Sequence, residues 1–163
     1  MNTSINFNEV RKLAKQAAKK RPILGCMRIE DGKAFWTDAY YLVLMDSYKD
    51  TPNMTVDLSD YSSKNQDYPD AERIVDKPFT KRDYKEEIHE GEVIYLYERI
   101  DTDGEVFKSF IDSTHINQLK KLIQNKKFNL NISEIELNET NTMGRITVDP
   151  LTKIYFMLKR KGN

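Results

Sequence analysis

An Asp-Gly pair at positions 31 and 32 limits the fold of this chain more than any other feature. It separates two segments of alternating apolar residues, RPILGCMRIE and KAFWTDAYYLVL. Such a pair between apolar segments indicates a two-residue hairpin turn, because glycine accepts the positive φ that the turn requires. The sequence therefore predicts two antiparallel strands within residues 21–44.

Residues 8–20 have the spacing of an amphipathic helix. Asn8 is expected to cap the N-terminus, and Pro22 helps to end the helix because the residue before a proline avoids the α region. Small and branched apolar residues recur on one predicted face: Val10, Leu13, Ala14 and Ala17.

A second helix is expected after a cap at Ser113 or Thr114. Its apolar face consists of Ile116, Leu119, Leu122 and Ile123. A further turn signal lies at residues 101–104, and residues 60–70 have the composition of a loop. Extended segments are expected at residues 54–58, 92–99, 105–111, 128–137, 144–148 and 153–161, with a short helix near residues 81–88.

The 163 residues are expected to form one domain, residues 1–163, of the α+β class. No segment approaches the roughly 18 apolar residues that a membrane helix needs, and the N-terminus lacks a signal pattern. Cys26 is the single cysteine, so no internal disulfide can form, and a buried, inert thiol is expected. A cytoplasmic location follows as an expectation.

Basic residues collect on the two expected helices, although the net charge is zero. Residues 1–21 contain Glu9 as their single acid, and residues 113–127 contain none. A surface of this kind suits contact with phosphates, whereas an ordinary solvated helix face carries both signs. Because aromatic residues are missing from these helices, we expect contact with a duplex backbone rather than base stacking. The candidate DNA-binding residues are Arg11, Lys12, Lys15, Lys19, Lys20, Lys120, Lys121, Lys126 and Lys127.

No arrangement in the sequence predicts catalysis. Asp38, which follows Thr37, is expected to hydrogen-bond backbone groups at a bend. His89 lies in the acidic run EEIHEGE, which lacks the paired histidines of a zinc site. Because no phosphate loop, nucleophile elbow or paired cysteine motif is present, we expect a non-enzymatic protein without a metal or cofactor.

Aromatic residues are frequent in the expected strands, where they favour core or sheet-face positions. Some of them could instead line a groove for a partner peptide. They are Phe35, Trp36, Tyr40, Tyr41, Tyr95, Tyr97, Tyr155 and Phe156.

Three segments in order resemble the bacterial DNA polymerase sliding clamp, the polymerase III beta subunit. They are the hairpin with its Thr37-Asp38 pair, the run YPDAERIV at residues 68–75, and the run IYFMLKR at residues 154–160. The chain departs from the clamp pattern at Trp36 and at Ala39-Tyr40-Tyr41, where clamps have a small residue and Gly-His-Arg.

The resemblance implies a DNA-clamp-like domain in which two helices pack on two antiparallel sheets and face DNA. It implies a replication or processivity factor, of phage or mobile-element type, that binds duplex DNA and tethers a polymerase or another replication protein. Clamps encircle DNA with about six such domains, so this chain would need to form a homo-oligomer to close a ring.

A second hypothesis is a clamp-fold protein-interaction module that does not hold DNA. Such a module would bind a replication protein, such as a host clamp or polymerase, or use the acidic region between residues 57 and 105 against a basic partner.

Overall fold

The computed structural model describes residues 4–162, and within them the chain is mixed α+β with antiparallel sheets. The helices are α1 (Phe7–Ala18), α2 (Glu72–Val75) and α3 (Ser113–Leu122), with 3₁₀ turns at Pro22–Gly25 and Ile132–Glu134. The strands are β1 (Cys26–Glu30), β2 (Lys33–Thr37), β3 (Tyr41–Met45), β4 (Met54–Asp57), β5 (Ser63–Lys64), β6 (Phe79–Lys81), β7 (Lys85–His89), β8 (Glu92–Ile100), β9 (Val106–Ile111), β10 (Glu136–Asn138), β11 (Met143–Asp149), β12 (Thr152–Met157) and β13 (Lys159–Arg160).

The strands form two sheets. The larger sheet has the order β5-β4-β1-β2-β3-β12-β11-β10-β6, and the smaller has the order β13-β9-β8-β7. Each half of the chain contributes a helix, a 3₁₀ turn and a three-stranded meander, β1-β2-β3 after α1 and β10-β11-β12 after α3. The two meanders join through β3 and β12, so the larger sheet runs continuously through both halves.

The main core lies between both sheets and the two longer helices. Val10 of α1, Leu119 of α3, Trp36 of the larger sheet and Tyr97 of the smaller one all belong to it. A second cluster on the other face of the larger sheet is covered by the segment that contains Ala71 and Phe79. The exposed faces of α1 and α3 therefore point away from the main core.

The hairpin predicted at the Asp-Gly pair is confirmed. Asp31 and Gly32 have φ values of 50° and 83°, and Glu30 pairs with Lys33 across the turn. The first strand begins at Cys26 rather than near residue 21, because the segment Pro22–Gly25 forms a 3₁₀ turn.

Both expected helix caps are displaced toward the N-terminus. The side chain of Asn6, not Asn8, caps α1, and that of Asp112, not Ser113 or Thr114, caps α3. In both cases an oxygen-bearing side chain further upstream already meets the free amide groups of the first turn.

The expectation of a short helix near residues 81–88 is wrong. That segment contains β7, which is joined to β8 by a turn at Glu90 and Gly91, both of positive φ. The helix in this part of the chain is instead α2, which lies within the run YPDAERIV.

Two of the last three expected strands, at residues 128–137 and 153–161, are shorter than predicted. Most of residues 128–137 is irregular, and β10 begins only at Glu136. The segment 153–161 divides after Met157, where the chain leaves the larger sheet and β13 pairs with β9 of the smaller one.

Candidate nucleic-acid interface

Helix α1 exposes all of the basic residues that its sequence places there. The side-chain oxygen of Asn6 accepts hydrogen bonds from the backbone amides of Asn8 (3.1 Å) and Glu9 (3.4 Å) and thereby fixes the helix start. Val10 and Ala14 are buried against the core. The opposite face is exposed and carries Arg11, Lys12 and Lys15, and the exposed Lys19 and Lys20 follow directly after the helix.

Helix α3 is built in the same way. Its capping box joins the Asp112 carboxylate to the backbone amide of His115 (3.2 Å) and the backbone amide of Asp112 to His115 Nδ1 (3.1 Å). Leu119 and Leu122 are buried, whereas Lys120 and Lys121 are exposed. The exposed Lys126 and Lys127 follow in the loop after the helix.

The two helices are antiparallel neighbours. The amide of Asn6 donates to the carbonyl of Leu122 (2.8 Å), and Gln118 Nε2 donates to Glu9 Oε1 (3.1 Å). The end of α3 therefore lies beside the start of α1. The two helices are thus neighbours, and each exposes basic residues to solvent.

None of the nine candidate residues forms an ion pair within the part of the chain that the structure describes. Basic residues elsewhere do so: Lys81 contacts Glu134 (2.9 Å), and Lys161 contacts Glu87 (3.0 Å). Among the described residues, the candidate cations are thus free of direct ion pairs with carboxylates. A surface cation that is not in an ion pair can displace counterions from nucleic acid without first breaking an ion pair within the protein.

One flank of α1 borders a groove of about 800 Å³ that is less basic than the helix sequence suggests. Asp57, at the end of β4, lines this groove and pairs with Lys64 (3.9 Å). Asp60 follows in the loop after β4, where hydrogen bonds from Ser62 hold the pKa of its carboxyl below its ordinary value.

The same loop places Tyr61 beside the helix. The guanidinium of Arg11 lies 5.6 Å from the centre of the Tyr61 ring, a cation–π distance. The Tyr61 ring is 58% exposed.

The other flank of α1 borders the turn between β2 and β3. A groove here is lined by apolar residues of α1 and the 3₁₀ turn, together with Lys20 and Tyr40, whose ring is 70% exposed. The Asp38 carboxylate accepts hydrogen bonds from the amides of Tyr40 (2.9 Å) and Tyr41 (2.8 Å). Burial raises the pKa of Asp38, although these hydrogen bonds oppose the rise. Asp38 therefore holds the bend, which is the structural role expected from the sequence.

Tyr40 and Tyr61 belong to the candidate surface, yet the helical pattern could not identify them. Both lie in loops, and only the tertiary fold brings their rings to α1. The aromatic residues expected in the core are there in part: Trp36, Tyr97, Tyr155 and Phe156 are buried, whereas Tyr40 is exposed.

Other reactive side chains lie apart from this surface. Cys26 is buried, as expected, and burial raises the pKa of its thiol. Among residues 4–162, no group of three or more His, Cys, Asp or Glu side chains is arranged to hold a metal ion. No helix within the described residues is long and apolar enough to cross a membrane.

Neither a scan of protein-family models nor a search of curated proteins finds a match to this chain.

Proposed function

We propose that the protein binds duplex DNA without reading its sequence, as a clamp-like accessory of replication and not as an enzyme. The observation that supports this most strongly is that nine exposed basic residues, on two neighbouring helices and directly after them, form no ion pair among the described residues. The three sequence segments that resemble a sliding clamp give this surface its proposed role in processivity. The polymerase or other replication protein that it would tether is part of the same proposal.

The lysines act on the phosphate backbone by displacing counterions, so affinity should fall steeply with salt. Each phosphate contact contributes about −0.9 to the slope of log affinity against log salt concentration. Phosphate contacts do not read base edges, so we expect duplexes of equal length and different sequence to bind with equal affinity.

The test replaces Lys12, Lys15, Lys120 and Lys121 together with glutamate. Because the four charge reversals change the net charge of the proposed contact surface by eight units, we expect duplex binding to fall by at least about a hundredfold. Fluorescence anisotropy of a labelled duplex, titrated at several salt concentrations, measures both the affinity and the salt slope.

A matched control reverses the same charge elsewhere. Lys33, Lys49, Lys77 and Lys85 are exposed and lie outside the two helices. Their replacement with glutamate changes the net charge equally but leaves the helices intact. If this control loses as much affinity as the helix variant, binding is a matter of net charge and the assignment to α1 and α3 is wrong.

A second candidate function, protein interaction without DNA, is favoured by the edge strand β7. Ile88 of β7 is 78% exposed and pairs with Val93, which is 43% exposed, at an edge rich in glutamate. Affinity capture from a replicating cell extract with nuclease treatment separates the two functions. Partners that survive nuclease treatment, with no recovered DNA, would support the second candidate.

A further inference from the structure

We propose that the surface around α1 binds nucleic acid with unpaired bases, which stack on Tyr40 and Tyr61 while the lysines hold the backbone. This inference rests on the proposed function and specifies the form of nucleic acid that the surface prefers. It differs from the expectation of pure duplex contact because the fold adds two aromatic rings that the helices themselves lack.

The two rings lie on opposite flanks of α1. Residues Arg11, Lys15 and Ala18 face the groove next to Tyr61, whereas Leu13, Ala17 and Lys20 face the groove next to Tyr40. At about 100° per residue these two sets point in opposite directions around the helix axis. Lys12 and Lys19 are exposed between them. A strand that crosses α1 would thus meet a ring, then cations, then a second ring.

The backbone of Tyr61 is held by a hydrogen bond, and its ring contacts Arg11. Its amide donates to the carbonyl of Asp57 (2.7 Å), and its φ of 59° lies in the left-handed region that few bulky residues adopt. Arg11 covers part of the ring, and the remainder faces solvent. A stacked base would extend this arrangement, because guanidinium groups and aromatic rings both present flat faces to bases.

The Tyr40 ring projects from an equally fixed turn. Besides the two bonds to Asp38, the carbonyl of Tyr40 accepts a hydrogen bond from the amide of Met157 (2.9 Å). Ala39 has a φ of 80°, in the left-handed region, and the chain turns sharply at this point. The backbone is therefore held by hydrogen bonds while Tyr40 stays 70% exposed beside the groove. Stacking of a base on the ring would thus require little ordering of the backbone.

The surroundings of Tyr61 suit a base with flanking phosphates. The Arg11 guanidinium lies 5.6 Å from the ring centre, Lys12 and Lys15 line the adjoining groove, and Asp57, which also lines it, pairs with Lys64 (3.9 Å). A base is neutral and has a π face whatever its identity, whereas the bases of a duplex are already stacked on each other. Unpaired bases are therefore the part of a nucleic acid that fits this flank.

The test compares three DNA probes by fluorescence anisotropy. The first is a blunt duplex of about 20 base pairs. The second adds a single-stranded overhang of about ten thymidines, and the third adds an overhang of equal length built from abasic sites. The two overhangs carry the same phosphate charge and differ only in their bases. We expect the thymidine overhang to bind at least about tenfold more tightly than the abasic one.

Variants of Tyr40 and Tyr61 test whether this difference in affinity comes from the two rings. Replacing both Tyr40 and Tyr61 with leucine should lower binding of the thymidine overhang to the abasic level and leave blunt duplex binding unchanged. Replacing both with phenylalanine keeps the rings and should keep the preference. Because both side chains are largely exposed, the variants should unfold at nearly the parent temperature, which thermal unfolding checks.

The outcomes separate this inference from the proposed function. If no probe binds, the proposed function fails, and the inference fails with it. If the blunt duplex binds but the two overhangs bind equally, the inference is overturned and the proposed function stands. A preference for thymidine that survives the leucine variants would also overturn it, because the bases would then stack elsewhere.

Discussion

His115 completes the capping box of α3 with an unprotonated Nδ1. Its Nδ1 accepts from the Asp112 amide, so its proton lies on Nε2, which donates to the carbonyl of Met157 (2.9 Å). Protonation of Nδ1 would gain an ion pair with Asp112 Oδ1, 3.0 Å away. Burial outweighs this gain and lowers the pKa of His115 below its ordinary value of 6.5. The folded state therefore binds this proton less readily than the unfolded chain does.

The free energy of unfolding should consequently decrease as the pH is lowered below neutrality. Above pH 6.5 the imidazole is mostly neutral in both states, and as the pH drops toward the lowered folded pKa the unfolded chain takes up a proton first. We expect the free energy of unfolding to decrease through this window, measured by urea unfolding at several pH values. His115→Gln keeps an N3 acceptor for the capping box but does not titrate, so it should remove part of this dependence. An unchanged pH profile in this variant would contradict the assignment.

At the scale of the strand pair β11–β12, Gly144 makes room for the Phe156 ring directly across the sheet. A Cβ at position 144 would lie 2.6 Å from Phe156 Cζ. The ring is buried between neighbours, with the Tyr41 ring centre at 6.4 Å and the His115 ring centre at 5.6 Å. It therefore has little freedom to move aside.

We expect Gly144→Ala to destabilise the protein by about 1–3 kcal/mol through overpacking, although alanine ordinarily suits strands better than glycine. The shift of the urea midpoint at constant slope measures this change. Gly162→Ala is the control, because a Cβ there meets no atom within 4 Å. A neutral Gly144→Ala variant would show that the Phe156 ring can shift after all.

The elements that the sequence predicted well are those whose signal is local. The hairpin turn and the apolar faces of α1 and α3 depend on neighbouring residues alone, and all are found. The run 128–137 was expected to be a strand, yet Asn125 and Asn131 accept backbone hydrogen bonds from Lys127 and Ser133 and form local turns instead. The division of the last strand depends on which sheet offers a free edge, a property of the tertiary fold.

Strand β7 is another element that the sequence did not predict. Its residues Lys85, Glu86, Glu87 and His89 are charged or polar because an edge strand of an exposed sheet buries neither face well. Apolar periodicity therefore could not identify it. The Glu90-Gly91 turn was the available signal, since glycine at such a position favours a two-residue hairpin.

For the whole molecule, the fold makes neighbours of two helices whose exposed charged residues are mostly basic. The sequence predicted a basic surface from these two helices, in which Glu9 is the single acid. Asp57 and the rings of Tyr40 and Tyr61 reach α1 from distant positions in the sequence. No helical pattern could have included them, so only the cationic part of the candidate site was predictable.

The free edges of the sheets bear on whether the chain closes into a ring. Edge strands β5 and β13 have two residues each, and β6 has three. Strand addition at any of these edges would form only a few backbone hydrogen bonds. β7 is longer, but two copies pairing there would bring several glutamates together.

We therefore expect the free protein to be a monomer at micromolar concentration, and light scattering coupled to size exclusion measures this mass directly. The same measurement with a duplex should give one or more copies bound side by side, with a stoichiometry that rises with duplex length. This is the behaviour of a protein that grips the backbone from one side. A discrete assembly of about six chains, formed with or without DNA, would contradict this expectation and support a closed ring. In that case α1 and α3 would line the central channel, and the short edges would have to be extended by residues that rearrange on assembly.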